Sequence, residues 1–176
     1  MPTGLGSRAE QAGKILLAGF VGGVAGAWAM RRFSALWRGL GGPSSAPRGE
    51  PYSSQEWDSA GRAAERITSV LLARRLSVQE KRRATAALHY LVGGAAGAGY
   101  AATSNAYPAA RVGSGTVFGT AFWLLGDELS MPWLGLTDKP SDYSLAAHVN
   151  SLGEHIVYGM TTESVRRAAL FFLCHG

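Results

Sequence analysis

Long apolar blocks separated by short polar stretches dominate this chain. The first block, ILLAGFVGGVAGAWAM (Ile15 to Met30), contains no charged residue and lies between Lys14 and the pair Arg31-Arg32. Sixteen uncharged residues are slightly short of a bilayer, but the flanking basic side chains can reach outward to the interfaces. Together with similar blocks further along, the pattern predicts four membrane-spanning helices, at about 11–33, 84–107, 111–131 and 144–170.

The stretch between the first two predicted spans is polar. Glycine, proline and serine dominate residues 39–54, which predicts a loop. Ser53 with Glu56, and Ser77 with Glu80, have the spacing of capping boxes and predict two helix starts. Residues 55–76 carry an apolar stripe at three- and four-residue spacing, which predicts an amphipathic helix. Such a helix lies on the membrane surface or packs on its own bundle.

These elements define an all-α fold class. We expect a single membrane domain over residues 1–176, a four-span transmembrane helical bundle with one amphipathic interfacial helix between spans one and two. Most of the basic residues follow the first span: 11 of the 17 Lys and Arg lie between Arg31 and Arg83. Positive charge beside apolar spans favours a membrane protein over a nucleic-acid-binding protein, although the net charge is +5.

Glycines recur at four-residue spacing within the predicted spans. On a helix, two glycines four residues apart share one face and let another backbone approach closely. Such repeated pairs predict a tight bundle, or a bundle docked to other subunits. The predicted packing positions are Gly19 with Gly23, Gly22 with Gly26, Gly93 with Gly97, and Gly115 with Gly119.

Ionisable residues inside apolar spans are the candidate functional groups, because burying charge in lipid is costly. They are His89, Asp127, Glu128, His155 and Glu163. One interpretation is a proton relay, since histidine titrates near neutral pH. The alternative is structural: inward-facing polar groups that hydrogen-bond and fix the helix register.

The candidate chemistry is otherwise sparse. Cys174 is the only cysteine, which excludes an internal disulfide and a multi-cysteine metal site. The sequence has no nucleophile–base set, P-loop or dinucleotide fingerprint, so we predict no enzyme activity, no metal and no cofactor. Ligation of haem or chlorophyll by histidine stays open as an alternative, with His89 opposite His155 as the possible pair. His148 and His155, seven residues apart on one helix face, could not bind the same iron from opposite sides.

Four stretches together resemble one family. They are RAAERITSVLLARRLSVQEKRRATAALHY from Arg62, GTVFGTAFWLLGDE from Gly115, PWLGLTDKPSDYSLAAHV from Pro132 and EHIVYGMTTESVRR from Glu154. In these four stretches, the chain is similar to the YagU-like family of small bacterial inner-membrane proteins, a group of unknown function. The resemblance implies a four-helix inner-membrane bundle and a loose association of one branch with acid resistance. It supplies no catalytic residue or cofactor.

We therefore expect a non-enzymatic, multi-pass protein of the bacterial cytoplasmic (inner) membrane, working as an accessory or structural subunit of a larger complex. Its expected partners are the lipid bilayer and other membrane subunits, with no nucleic acid. The apolar ending AALFFLCHG offers a further docking segment. Two alternatives remain: a proton-handling or acid-stress membrane protein, and a pigment- or haem-binding subunit.

Overall fold

A computed structural model describes residues 4–42 and 77–175 of the chain. Within these ranges the protein is helical, with no strand, which confirms the all-α class. The predicted amphipathic helix at 55–76, the Ser53–Glu56 capping box and most of the 39–54 loop lie outside the described residues. The four long helical elements are α1 (Gly4–Gly39), α2 (Val78–Ala106), α3 (Thr116–Trp123) and α4 (Leu145–His175).

Shorter elements connect them. A 3₁₀ helix at Pro108–Gly115 precedes α3, and a π-helical segment at Leu124–Ser130 with a short turn at Met131–Trp133 follows it. A second 3₁₀ turn, Pro140–Asp142, comes before α4.

The start of α2 was predicted from a capping box, which the structure confirms. The Ser77 side chain accepts a hydrogen bond from the Glu80 backbone N–H, and the Glu80 carboxylate accepts one from the Ser77 N–H at 2.9 Å. These reciprocal bonds satisfy backbone donors that a helix start leaves free. The helix ends at Ala106, just before Pro108, a residue without a backbone N–H.

Glycines set the packing of α1, which lies between α2 and α4. A Cβ at Gly23 would collide with the Gly93 carbonyl of α2, and one at Gly22 would collide with the Thr162 carbonyl of α4. Gly19 in turn lies against Gly97, so residues further along α1 contact residues earlier in α2. Helix α1 is therefore antiparallel to α2, and by the same comparison to α4.

The third predicted span is interrupted, and its helix begins at Thr116 instead of near 111. The backbone leaves helical geometry at Val112 and then takes positive φ angles of 74° at Gly113, 52° at Ser114 and 92° at Gly115. At Gly115 only glycine fits, because a Cβ there would also collide with the Gly159 carbonyl. Gly113, Ser114 and Gly115, which lie within the predicted third span, therefore interrupt its helix.

Polar side chains share the interior with mostly small apolar ones, while many large apolar side chains face outward. The buried apolar residues of the described chain are four alanines, two tyrosines and one leucine. The buried polar ones are Thr85, Ser104, Asn150, His155, Thr162, Glu163 and Arg166. Exposed apolar residues, in contrast, lie on all four helices and include Leu17, Trp28, Leu91, Val117 and Val149.

Among the described residues, one helix is long and apolar enough to cross a membrane: Ser7–Gly39 of α1. Because this helix lies near the N-terminus, a signal sequence would meet the same criteria.

Candidate functional site: the polar face of α4

Helix α4 carries most of the buried polar groups of the described chain. It opens at Ser144, whose hydroxyl accepts a hydrogen bond from the Ala147 N–H at 3.1 Å. Its inward side chains then recur at three- and four-residue spacing, and between the first and the last of them the helix rises about 27 Å. They are His148, Ser151, His155, Tyr158, Thr162, Glu163 and Arg166.

The first polar contact ties α4 to the π-helical segment. His148 Nδ1 lies 2.7 Å from Glu128 Oε1, and Nε2 lies 3.1 Å from the Pro140 carbonyl oxygen. The Pro140 carbonyl can only accept, so Nε2 donates to it, while Nδ1 lies within hydrogen-bonding distance of the Glu128 carboxylate. This contact holds three segments together: α4, the π-helical segment and the Pro140–Asp142 turn.

A second contact lies about two turns further along α4. His155 Nε2 is 3.7 Å from Asp127 Oδ2, and the Ser151 hydroxyl donates to the same oxygen at 3.1 Å. His155 Nδ1 faces the Ser151 carbonyl oxygen at 3.0 Å, and the ring meets Phe122 edge-on. The π-helical segment thus gives two consecutive carboxylates a partner on α4, at a kind of helix irregularity that often marks functional sites.

Glu163 belongs to a separate group in the interior. Its carboxylate, in a residue only 1% exposed, accepts two hydrogen bonds from Arg166, at 2.7 and 2.9 Å, and one from Arg167 Nε at 2.6 Å. The Arg166 guanidinium lies 5.8 Å from the centre of the Tyr100 ring, which stacks on Phe118 at 4.2 Å. This group therefore joins α2, α3 and α4.

His89 is apart from both groups and packs on α1. Its Nε2 lies 3.3 Å from the Ala27 carbonyl oxygen, and its ring is edge-on to Tyr90. The contact joins the α2 and α1 backbones.

The five predicted polar residues thus fall into three places. Asp127, Glu128 and His155 meet at the start of α4, with His148 as a fourth member. Glu163 lies eight residues beyond His155, about 12 Å along the helix. Between them Tyr158 donates its hydroxyl to the Gly93 carbonyl at 2.6 Å, within an aromatic cluster with Phe118 and Phe122. The described contacts do not link the five residues into one chain.

Several residues of these groups were not among the predicted sites. Arg166 and Arg167 are two of them, although a glutamate followed by arginines three and four residues later is a standard helical pairing. This spacing in the sequence would have been enough to predict the ion pairs. No sequence signal marked Ser151 or Tyr100 as partners, because their contacts join different helices.

The predicted packing glycines lie at helix crossings inside the chain. Gly19 and Gly23 face Gly97 and Gly93, and Gly22 and Gly26 face α4. Gly115 and Gly119 lie against Gly159 and His155. All eight therefore serve contacts between helices of one chain.

In the part of the chain that the structure describes, no cluster of three or more His, Cys, Asp or Glu side chains is arranged to hold a metal ion. Comparison with known proteins gives one match. The sequence model of a family described as "Protein of unknown function (DUF1440)" matches residues 65–164, more than half of the chain and all five predicted polar residues. No curated protein matches, and no solved structure matches.

Proposed function

The chain belongs to the DUF1440 family of proteins of unknown function, and within it we propose a non-enzymatic protein that crosses the bacterial inner membrane four times. The observation that carries this proposal is the distribution of side chains. Charged and hydroxyl groups are buried in the interior, whereas large apolar side chains are exposed on the outside. In water such a surface would associate or aggregate, whereas lipid would solvate it. The resemblance to the YagU-like family agrees with this location.

The Lys and Arg residues of the described helices support one orientation of the bundle in the membrane. Because α1 and α2 are antiparallel, the end of α1 and the start of α2 lie at the same end of the bundle. That end carries Arg31, Arg32 and Arg38 of α1 and Lys81, Arg82 and Arg83 of α2. Clustered Lys and Arg next to spans favour the cytoplasmic side. The chain termini would then lie on the opposite side.

We further propose that the protein works as an accessory subunit, through helix contacts in the membrane. The outward face of α2 offers such a contact, since Ala95, Gly99 and Thr103 are exposed at four-residue spacing. A Cβ at Gly99 would have nothing within 4 Å, unlike the glycines at the internal crossings. The partner that fits this face is a transmembrane helix with its own small-residue stripe.

Site-specific crosslinking in native membranes tests this role. A photo-crosslinker at Ala95 or Ala102 should give one discrete product, and Gly99→Leu should abolish it while leaving the amount of folded protein unchanged. Gly13→Leu is the matched control, because Gly13 is equally open but lies outside the uncharged run of α1. If the membranes contain the protein but only the uncrosslinked monomer is found, the accessory role is contradicted.

The two histidine–carboxylate contacts favour a second candidate, a role in the response to acid. Asp127 lies beside His155 and Glu128 beside His148, so a carboxylate meets an imidazole twice at the basic end of the bundle. Protonation of a carboxylate would remove the charge that holds its histidine. Cells lacking the protein should then lose survival in acid, and Glu128→Gln and Asp127→Asn variants should not restore it. Full rescue by both folded variants would exclude this role.

A further inference from the structure

Arg167 lies within the apolar part of the bundle. The backbone of the preceding residue, Arg166, packs against Gly22 of α1, which is eight residues from Lys14 and nine from Arg31. These spacings correspond to about 12 Å or more of helix on either side. In the four-span protein proposed above, on which this inference rests, Arg167 therefore lies near the middle of the membrane.

Glu163 holds the Arg167 guanidinium at this depth. Arg167 Nε donates a 2.6 Å hydrogen bond to the Glu163 carboxylate, four residues earlier in α4. Because α4 is antiparallel to α1, this bond directs the guanidinium away from the Lys14 end of the bundle. An arginine without such a bond could extend its long side chain to that end and reach the interface. The charge is instead fixed where lipid solvates it worst.

Two guanidinium groups share one carboxylate here. Glu163, which is 1% exposed, also accepts two hydrogen bonds from Arg166, so with Glu163 ionised the three groups carry a net charge of +1. The Arg167 side chain is 57% exposed, and among the described residues its Nη groups have no hydrogen-bond partner. The uncompensated charge therefore faces outward, and one further carboxylate would neutralise it.

Exposed residues on both sides of Arg167 form one face of α4, which we call the Arg167 face. Met160 and Phe171 are 47% and 60% exposed, and the small residues Ser164 and Ala168 are exposed between them. Their three- and four-residue spacing places all five on the side of α4 opposite to its contacts with α1. Small residues let another helix approach closely, and the Ser164 hydroxyl already donates to the Met160 carbonyl at 2.8 Å. A second helix therefore fits beside Arg167.

A second copy of this chain does not supply the missing carboxylate. In one membrane, two copies have the same orientation, so residues at the same depth meet. Among the described residues the carboxylate at the depth of Arg167 is Glu163, which is buried. The preceding acidic residue of α4, Glu154, lies nine residues earlier, about 13 Å towards the basic end.

We propose that the Arg167 face binds a transmembrane helix of another protein, and that this helix carries an aspartate or glutamate near its middle. A guanidinium offers a planar pair of donors that matches two carboxylate oxygens. The contact compensates two charges that are each costly in lipid, so both helices gain from it. Glu163 remains the fixed partner that orients Arg167 towards the incoming carboxylate.

Energy transfer between the labelled full-length protein and a labelled model helix in phosphatidylcholine vesicles tests this face. The probe is a synthetic leucine–alanine transmembrane helix with one central aspartate, and its reference has asparagine at the same place. The wild type should bind the aspartate helix about 10-fold more tightly than the asparagine helix in mildly alkaline buffer. Arg167→Gln should abolish this preference. Arg83→Gln, at the exposed basic end, is the matched control and should retain it.

A second variant tests the shape of the face independently of its charge. Ser164→Leu places a bulky side chain between Met160 and Ala168 on the exposed side of α4, so it should leave the fold intact. It should weaken binding of the aspartate helix about 3- to 10-fold, because the two backbones are then held apart.

Three results would overturn the proposal: equal binding of both model helices by the wild type, a preference that persists in Arg167→Gln, or unchanged binding by Ser164→Leu. Loss of the preference in vesicles that also contain phosphatidylglycerol would likewise overturn it, since the lipid phosphate would then be the partner. Membrane fractionation separates this proposal from the preceding one. Protein in the membrane fraction without the preference removes only the Arg167 contact, whereas protein outside the membrane removes both.

Discussion

The hydroxyl of Tyr158 on α4 donates a 2.6 Å hydrogen bond to the backbone carbonyl of Gly93 on α2. Tyr158 is 1% exposed, and its ring packs against Gly26 of α1. Gly93 is at the same time a crossing point of α1 and α2, because a Cβ there would collide with Ala27. One residue pair thus joins the three longest helices at the centre of the bundle.

Loss of this hydrogen bond should weaken the bundle measurably. Tyr158→Phe keeps the aromatic contacts with Phe118 and Phe122 but leaves the Gly93 carbonyl without the hydroxyl donor. We expect a loss of about 1 kcal/mol in the free energy of unfolding in mild detergent. Tyr107→Phe, at a tyrosine that is 69% exposed, should change it by less than about 0.5 kcal/mol. Equal effects of the two changes would contradict the role of the hydrogen bond.

A methyl group at the α1–α2 crossing should separate the two helices. Gly23→Ala places a Cβ against the Gly93 carbonyl, and neither backbone can move without losing the crossing. We expect destabilisation of about 2 kcal/mol or more, as for overpacking of a tight core. Gly99→Ala on the open face of α2 should instead be neutral or stabilising by up to about 1 kcal/mol, from helix propensity. Thermal unfolding of both variants gives the comparison, and a stable Gly23→Ala protein would exclude the close crossing.

Removal of the Glu163 charge should leave Arg166 buried without its ionic partner. Glu163→Gln is expected to cost about 3–5 kcal/mol, the usual effect of breaking a buried pair. The double change Glu163→Gln with Arg166→Met should recover part of this loss, because it removes the stranded charge as well. Glu10→Gln, in the exposed Lys14–Glu10 pair, is the control and should leave the stability nearly unchanged. Chemical unfolding in detergent measures the stability of all three variants. A Glu163→Gln protein as stable as the wild type would refute the prediction.

The His148 contact should anchor the segment between α3 and α4. His148→Asn removes the bridge between Glu128 and the Pro140 carbonyl, for an expected loss of about 1.5–3 kcal/mol when a charged hydrogen bond is broken. Limited proteolysis should then cut near residues 134–143 faster than in the wild type. Asp138→Asn, an exposed change in the same stretch, serves as control. Unchanged cleavage in the His148 variant would show that the bridge does not hold this segment.

Local signals in the sequence determined the helical class and several boundaries. The Ser77–Glu80 spacing placed the start of α2, and Pro108 its end, because caps and proline act within one turn of backbone. The apolar run between Lys14 and Arg31 likewise lies within α1. The polar residues of α4 stood out in the sequence for the same reason, since an ionisable side chain in an apolar run is visible without knowledge of its neighbours.

Tertiary structure alone decided which of those residues act together. The contacts of Asp127 with Ser151 and of Tyr100 with Phe118 each join different helices, so no spacing along the chain encodes them. The break at Gly113–Gly115 is similar: glycine permits both a tight helix crossing and a positive φ angle, and only the approach of Gly159 and Glu163 selects the break. Helix propensity is a property of neighbouring residues, whereas a site is a property of the packing between helices.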